Sequence, residues 1–397
     1  MGGRDPREAH RTATPLELLF DLTFATSFSL AASHFADALA AGRYVVAVVG
    51  FGFASFAICW AWLNFSWFSS AYDTDDWMFR IVTMLQMVGV LVLATGLPRM
   101  FASIERGQRL DNSVMVLGYV IMRVALVAQW LRAAAQDPVR RRACLIYAAT
   151  VSTAQVGWIL LIVEDLSAPV VVLLGSILAL IEFAGPVLAE RQQGGTPWHA
   201  HHIAERHSLF AIIALGEGVV GTVAVLSAAI DQHGWTLDAL LIGTAGTGLI
   251  FGMWWVYFLV PSAPILDRHR NRAAVWSVGQ MFIVTCIVAT GGGLQLAASF
   301  VERKAHIAAA TAVLAVALPV LVFLALLHAL YYYLVRTFKP LDAWLLVASS
   351  AIGALSVVTS LSGIGVAASL VLLAFAPAVP IVAYELLGYR RLATLAD

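Results

Sequence analysis

Charge is scarce in this chain. Only 12% of its 397 residues are Asp, Glu, Lys or Arg, against about 25% in a soluble globular domain. With 60% hydrophobic residues, that shortage excludes an ordinary water-soluble fold. Net charge is also missing: 24 basic side chains balance 24 acidic ones, so there is no bulk electrostatic case for a nucleic-acid partner. Cysteine is rare. Cys59, Cys144 and Cys286 are scattered through apolar runs, which excludes a disulfide framework and a C-x-x-C metal or redox motif. There is no Walker loop, dinucleotide fingerprint, G-x-S-x-G elbow or kinase-type set. Primary ATP-driven transport by this chain alone is therefore not expected, and no cofactor or resident metal is expected either. Alternating ten-residue strands, the mark of a membrane barrel, are also absent.

What the chain has instead is apolar stretches of about 20 residues, each long enough to cross a bilayer as a helix. They fall at roughly 16–38, 44–72, 78–98, 113–134, 143–163, 168–189, 205–229, 236–260, 274–298, 306–335, 341–362 and 365–388. The fold class expected is all-α: a polytopic integral membrane protein with about twelve transmembrane helices. The first 15 residues are polar and the first apolar run carries acids, so that run is expected to remain as a helix rather than be cleaved as a signal peptide.

Lys and Arg are unevenly shared between alternate connections. Arg43, Arg99, Arg106, Arg109, Arg303 and Lys304 fall on one side. Except for Arg123, which lies within a span, the others fall on the side of the N-terminus, including Arg7, Lys339, Arg390 and Arg391. Basic residues favour the cytosol, which predicts that both termini are cytosolic.

An internal repeat is also expected. "QMVGVLVLATG" from Gln86 aligns with "QMFIVTCIVATG" from Gln280 with one insertion, and "FAGPVLAE" corresponds to "FAPAVPIVAYE". Two six-helix repeats would insert the same way round, as parallel repeats do in some transporters. The organisation predicted is a cytosolic segment over 1–15, a first repeat over 16–189, a cytosolic linker over 190–204, a second repeat over 205–388 and a cytosolic tail over 389–397.

A few ionisable side chains interrupt the apolar spans: Glu17, Asp21, His34, Arg123, Glu182, Glu217 and His328. Such groups are costly in a bilayer and tend to face a partner or an interior cavity. Thr14, Pro15 and Glu17 fit a capping box, which would make Glu17 a helix start. Asp21 lies one turn further on the same face. Glu217 is no cap, being about 18 Å along a helix from Glu205, with Ala214, Gly218 and Gly221 forming a small-residue stripe beside it. Each acid has a bland reading, a hydrogen bond that glues two helices. The sharper reading makes Glu17, Asp21, Arg123, Glu182 and Glu217 a proton or substrate site, with Arg123 as counter-charge to the acids.

Polar clusters also flank the spans. Asp73, Asp75 and Asp76 in "YDTDDW" could cap a helix, latch onto the basic "ILDRHRNR" of the other half, or hold a divalent ion. With Glu205 and Arg206 they are expected at the cytosolic mouth. "WHAHHIAERH" gathers His199, His201, His202 and His207. These read as solvated or pH-sensing loop residues rather than metal ligands.

Together these landmarks resemble the bacterial low-temperature-requirement A family. "RTATPLELLFDLTFATSFS", "WFSSAYDTDDWMFRIVTMLQMVGVLVLA" and "ERHSLFAIIALGEGVVG" are similar to its characteristic blocks. The resemblance carries over Glu17, Asp21, Asp73, Asp76, Glu205, Arg206 and Glu217. It departs at His207–Ser208, where an aromatic residue and a glycine are expected. It implies a multi-pass protein of the bacterial cytoplasmic membrane and brings no established reaction. The function expected is proton-coupled secondary transport of a small molecule or ion, the bilayer being the other partner. The rival expectations are an integral-membrane enzyme acting on a lipid or isoprenoid at the cytosolic face, and a non-catalytic structural or regulatory protein.

Overall fold

The computed structural model describes residues 2–5, 8, 11–107, 110–164, 168–192, 194–337 and 340–387. Arg7, Arg109, Lys339, Arg390, Arg391 and the expected tail over 389–397 lie outside the described residues. Among the described residues the regular structure is helical, with twelve segments long and apolar enough to cross a membrane. The protein is a multi-pass membrane protein.

The helices are α1 (Pro15–Ala40), α2 (Tyr44–Tyr72), α3 (Trp77–Glu105), α4 (Ser113–Gln136), α5 (Arg141–Val163), α6 (Ala168–Glu190) and α7 (Ala200–His233). Then come α8 (Leu237–Phe258), the short α9 (Ser262–Arg268), α10 (Ala273–Val301), α11 (Ala309–Val335), α12 (Pro340–Leu361), α13 (Val366–Ala374) and α14 (Ala378–Leu387). Polar caps fix several starts. Thr14 and Glu17 bond each other's backbone N–H at 2.9 and 3.3 Å, the reciprocal capping box that starts α1. Asp76 accepts from Phe79 N at 2.9 Å to start α3, and Thr236 accepts from Ala239 N at 3.3 Å to start α8.

Two boundaries differ from the sequence expectation. The stretch 200–204, expected as linker, is the first turn of α7. His199 Nδ1 accepts from the His202 backbone N–H at 3.3 Å, which makes a histidine the N-cap. His201, His202, Glu205 and Arg206 are therefore helical. The last span is broken after Ala374, since Pro377 has no N–H to give to the preceding turn and its ring crowds the carbonyl there.

The chain divides into two compact units. The first comprises 1–27 and 60–206. In it α3 packs on α4, α4 on α5 and α5 on α6. The backbones of α3 and α4 close up where Gly89 meets Gly118: a Cβ on Gly89 would lie 2.7 Å from the Gly118 carbonyl oxygen.

The second unit comprises 28–59 and 207–397. Here α10 packs on α11, α11 on α12, and α13 on both α8 and α12. Three successive glycines of α10 each receive a different helix. A Cβ on Gly291 would stand 2.6 Å from the Glu217 backbone of α7. One on Gly292 would meet Ala32 O of α1 at 3.0 Å, and one on Gly293 would meet Ala315 O of α11 at 2.4 Å. On α11, Ala312, Val313, Val316 and Val320 are buried while Leu314, Leu318 and Val322 are exposed. A helix apolar on both faces suits a lipid surround.

Candidate functional site

Three helices of the first unit each present a pair of side chains one turn apart: Glu17 and Asp21 from α1, Trp62 and Ser66 from α2, His202 and Arg206 from α7. At this spacing both members of a pair share a helix face. Arg206 stands between the acids, its Nη1 2.8 Å from Glu17 Oε1 and its Nη2 2.6 Å from Asp21 Oδ1. Nη2 also reaches Ser66 Oγ at 3.3 Å. Trp62 Nε1 donates to the same Asp21 oxygen at 2.7 Å. His202 Nε2 lies 3.1 Å from Glu17 Oε2. The guanidinium carbon lies 5.7 Å from the Trp62 ring centroid and 5.9 Å from that of Phe65, within cation–π range. Glu17, Asp21 and Arg206 are all 0% exposed.

A shell toward the helix ends surrounds this cluster. Arg11, 5% exposed, donates to the backbone carbonyls of Ser69, at 2.7 Å, and Ser70. These belong to the last turn of α2, where a cation complements the helix dipole. Burial lowers the Arg11 pKa to about 10, with Arg4 nearby adding to the shift. His199 Nε2 lies 2.8 Å from Glu8 O. Because His199 Nδ1 accepts from a backbone N–H, its proton is assigned to Nε2, which donates to that carbonyl. Asp73 is 4% exposed, accepts from Asp75 N at 2.9 Å and lies 4.0 Å from Arg4. Burial, and then repulsion from Glu17, push its carboxyl up to about 6.

The other two acids of the loop have separate roles. Asp75 is gripped by Arg80 through two contacts of 2.8 Å, which hold its pKa down. Asp76 caps α3 and takes two contacts from Arg132, at 2.6 and 3.0 Å, and these hold its pKa down. Within the first unit, Arg80 and Arg132 are thus the partners of Asp75 and Asp76. Among the described residues, no three His, Cys, Asp or Glu side chains gather to hold a metal ion.

Two further membrane acids have other partners. Glu182 of α6 accepts from the indole N–H of Trp60 and, at 3.2 Å, from that of Trp158. Arg123 Nη2 lies 3.3 Å from its Oε2. Glu217 of α7, in the second unit, accepts from Ser29 Oγ of α1, and its Oε2 has no hydrogen-bond partner among the described residues.

The profile of the bacterial low temperature requirement A protein (LtrA) family matches residues 12–377. The chain belongs to the LtrA family. It is also 26% identical, over 294 residues, to an uncharacterized protein of Rhizobium meliloti (strain 1021), covering 70% of this chain and 67% of that one. No solved structure matches it.

In this LtrA-family chain, Glu17, Asp21 and Arg206 come together, and Asp73 feels Glu17 electrostatically. Arg206, expected at the cytosolic mouth, is fully buried between two carboxylates, while Glu205 beside it is half-buried. Arg123, expected as counter-charge to the membrane acids, pairs with Glu182, and Arg206 is the partner of Glu17 and Asp21. Sequence reasoning set His202 among solvated or pH-sensing loop histidines; at the site it missed Trp62 and Ser66, with Trp60, Trp158 and Ser29 at the other acids. The available signal was the set of i, i+4 polar pairs. For the tryptophans it was the rule that a buried indole N–H needs an acceptor.

Proposed function

We propose that this LtrA-family protein is a proton-coupled secondary transporter of the bacterial cytoplasmic membrane, working through the Glu17–Arg206–Asp21–His202 cluster. One observation carries the reading: two fully buried carboxylates share a single guanidinium. With His202 neutral the group is one positive charge short. Stranding an uncompensated charge in a low-dielectric interior is expensive, so the cluster is balanced when it holds one added proton. The groups that face it are Arg11 and Asp73 near α1 and α2, and His199 and Glu205 near the start of α7. A site that gains and loses one charge is a site whose solute affinity can follow protonation.

Both termini are assigned to the cytosol from the basic residues. Parallel six-helix halves are supported by neighbours that recur in order, α3–α4–α5 and α10–α11–α12. Of the three acids that the enzyme alternative would use, Asp75 and Asp76 are engaged by Arg80 and Arg132, which favours the transport reading.

The experiment uses proteoliposomes loaded with a pH-sensitive dye and challenged in turn with amino acids, carboxylates, sugars and organic amines. At least one class should drive proton movement in wild type and none in Asp21→Asn. Silence from every class in folded wild-type protein would overturn transport and leave a structural role for the cluster.

A further inference from the structure

Glu17, Asp21 and Glu182 each face an arginine. Glu217 does not. It is 4% exposed, its electrostatic surroundings come down to burial and the Ser29 hydroxyl, and its Oε2 has no partner among the described residues. A carboxylate at bilayer depth without a counter-charge is stable only if something positive joins it.

The groups around it are oxygens. Ser29 Oγ touches Glu217 Oε1. One turn along α1, Ser33 Oγ lies 3.2 Å from Gln295 Oε1 of α10. Hydroxyl, amide and carboxylate oxygens are ligands for hard cations, not soft ones. Ser29, Ser33 and Asp37 follow one another at intervals of four and so share a face of α1. Ser33 and Asp37 are exposed, which makes a polar track from the end of the helix down to Glu217. The glycines of α10 hold the pieces together, Gly291 against the Glu217 backbone and Gly292 against Ala32 of α1.

We propose that Glu217 and Ser29 bind a sodium ion, which reaches them along the Ser29–Ser33–Asp37 face of α1. A single carboxylate matches a single positive charge, whereas a divalent ion would leave an excess charge in apolar surroundings. The glycine-tight packing of α7 on α10 suits a small ion. As a coupling ion the sodium rests on the transport reading above; as a bound ion it does not.

The test is thermal unfolding of the purified protein in detergent, at alkaline pH and fixed ionic strength, titrated with sodium, potassium or choline chloride. Sodium should raise Tm in a saturable way, with potassium and choline much weaker. Glu217→Gln should abolish the sodium effect. Ser29→Ala, which keeps the carboxylate, should weaken apparent sodium affinity on the order of tenfold or more, and it carries the test if the Gln variant does not fold. Asp21→Asn should keep the sodium response. Equal melting in sodium and choline would overturn the site and leave Glu217 simply protonated. A sodium effect that survives in Glu217→Gln would also overturn it. Sodium stabilisation without solute-driven proton flux defeats the transport reading alone; proton flux with inert sodium defeats the cation site alone.

Discussion

Arg206 Nη2 and Asp21 Oδ1 meet at 2.6 Å with neither side chain exposed. The pair joins α7 to α1 through residues 185 positions apart in the chain. Removing one partner of such a buried pair costs about 3–5 kcal/mol, mostly because the other is left charged and alone. Arg206→Met should therefore unfold at a much lower temperature than wild type. Adding Glu17→Gln should restore part of the loss by removing the stranded charge. A double-mutant cycle in detergent measures this, and strict additivity would mean that the three groups do not act as one unit.

Trp62 shares Asp21 Oδ1 with Arg206. Trp62→Phe keeps a ring beside the guanidinium and deletes the donor, for a cost of about 1–3 kcal/mol as a lost hydrogen bond to a charged group. The pH profile of solute-driven proton flux should change, because the Asp21 carboxylate loses the indole donor. An unchanged pH profile would remove Trp62 from the proton site.

Asp73 has a folded-state pKa of about 6, raised by burial and by Glu17. Its contribution to stability is complete below the ordinary carboxylate pKa and is lost as pH rises to about 6. The loss is on the order of 3 kcal/mol, since each tenfold change in proton affinity is worth about 1.4 kcal/mol. Asp73→Asn cannot ionise and should show a flatter Tm profile across that window. The same pH-dependent loss in both proteins would assign the titration to another group.

Asp76 behaves in the opposite sense. Arg132 and the Phe79 N–H favour its charged form, so its contribution is present at neutral pH and fades as pH falls through the acid range. Asp76→Ala should cost about 1 kcal/mol for the lost cap, and Asp76→Asn less, since asparagine also caps. Chemical or thermal unfolding at neutral pH checks the order of the two variants.

Glycine packing gives a paired prediction. An added Cβ at Gly291 would meet the Glu217 backbone at 2.6 Å, whereas at Gly216 nothing lies within 4 Å. Gly291→Ala should destabilise by about 1–3 kcal/mol through overpacking. Gly216→Ala should be neutral or stabilising by up to about 1 kcal/mol. Equal melting temperatures for the two variants would contradict the close approach of α7 and α10.

The helices were legible because a span must be about 20 apolar residues long, and α2 runs over Tyr44–Tyr72 as its apolar length predicts. The start of α7 was not legible, since its cap is a histidine in a polar stretch that reads as a loop. The same polar stretch hides Arg206, whose burial follows only once the helix extends back to Ala200 and brings it against its partners on α1. The partner of Arg123 could not be read from spacing, because Glu182 is 59 residues away on a different helix and only packing decides which acid it meets. Glu217, by contrast, stood out in sequence as an acid beyond any cap, and the small-residue stripe beside it includes the Gly221 that packs on Gly291.

The most direct measurement is solute-driven proton flux in proteoliposomes holding wild type or Asp21→Asn, with both proteins shown to melt cooperatively. The amide introduced by that substitution keeps the shape of the cluster and holds no exchangeable acid proton. Coupled flux in wild type and its loss in Asp21→Asn, with the fold retained, is the predicted result. Full coupled flux in Asp21→Asn would contradict a proton site between Glu17, Arg206 and Asp21.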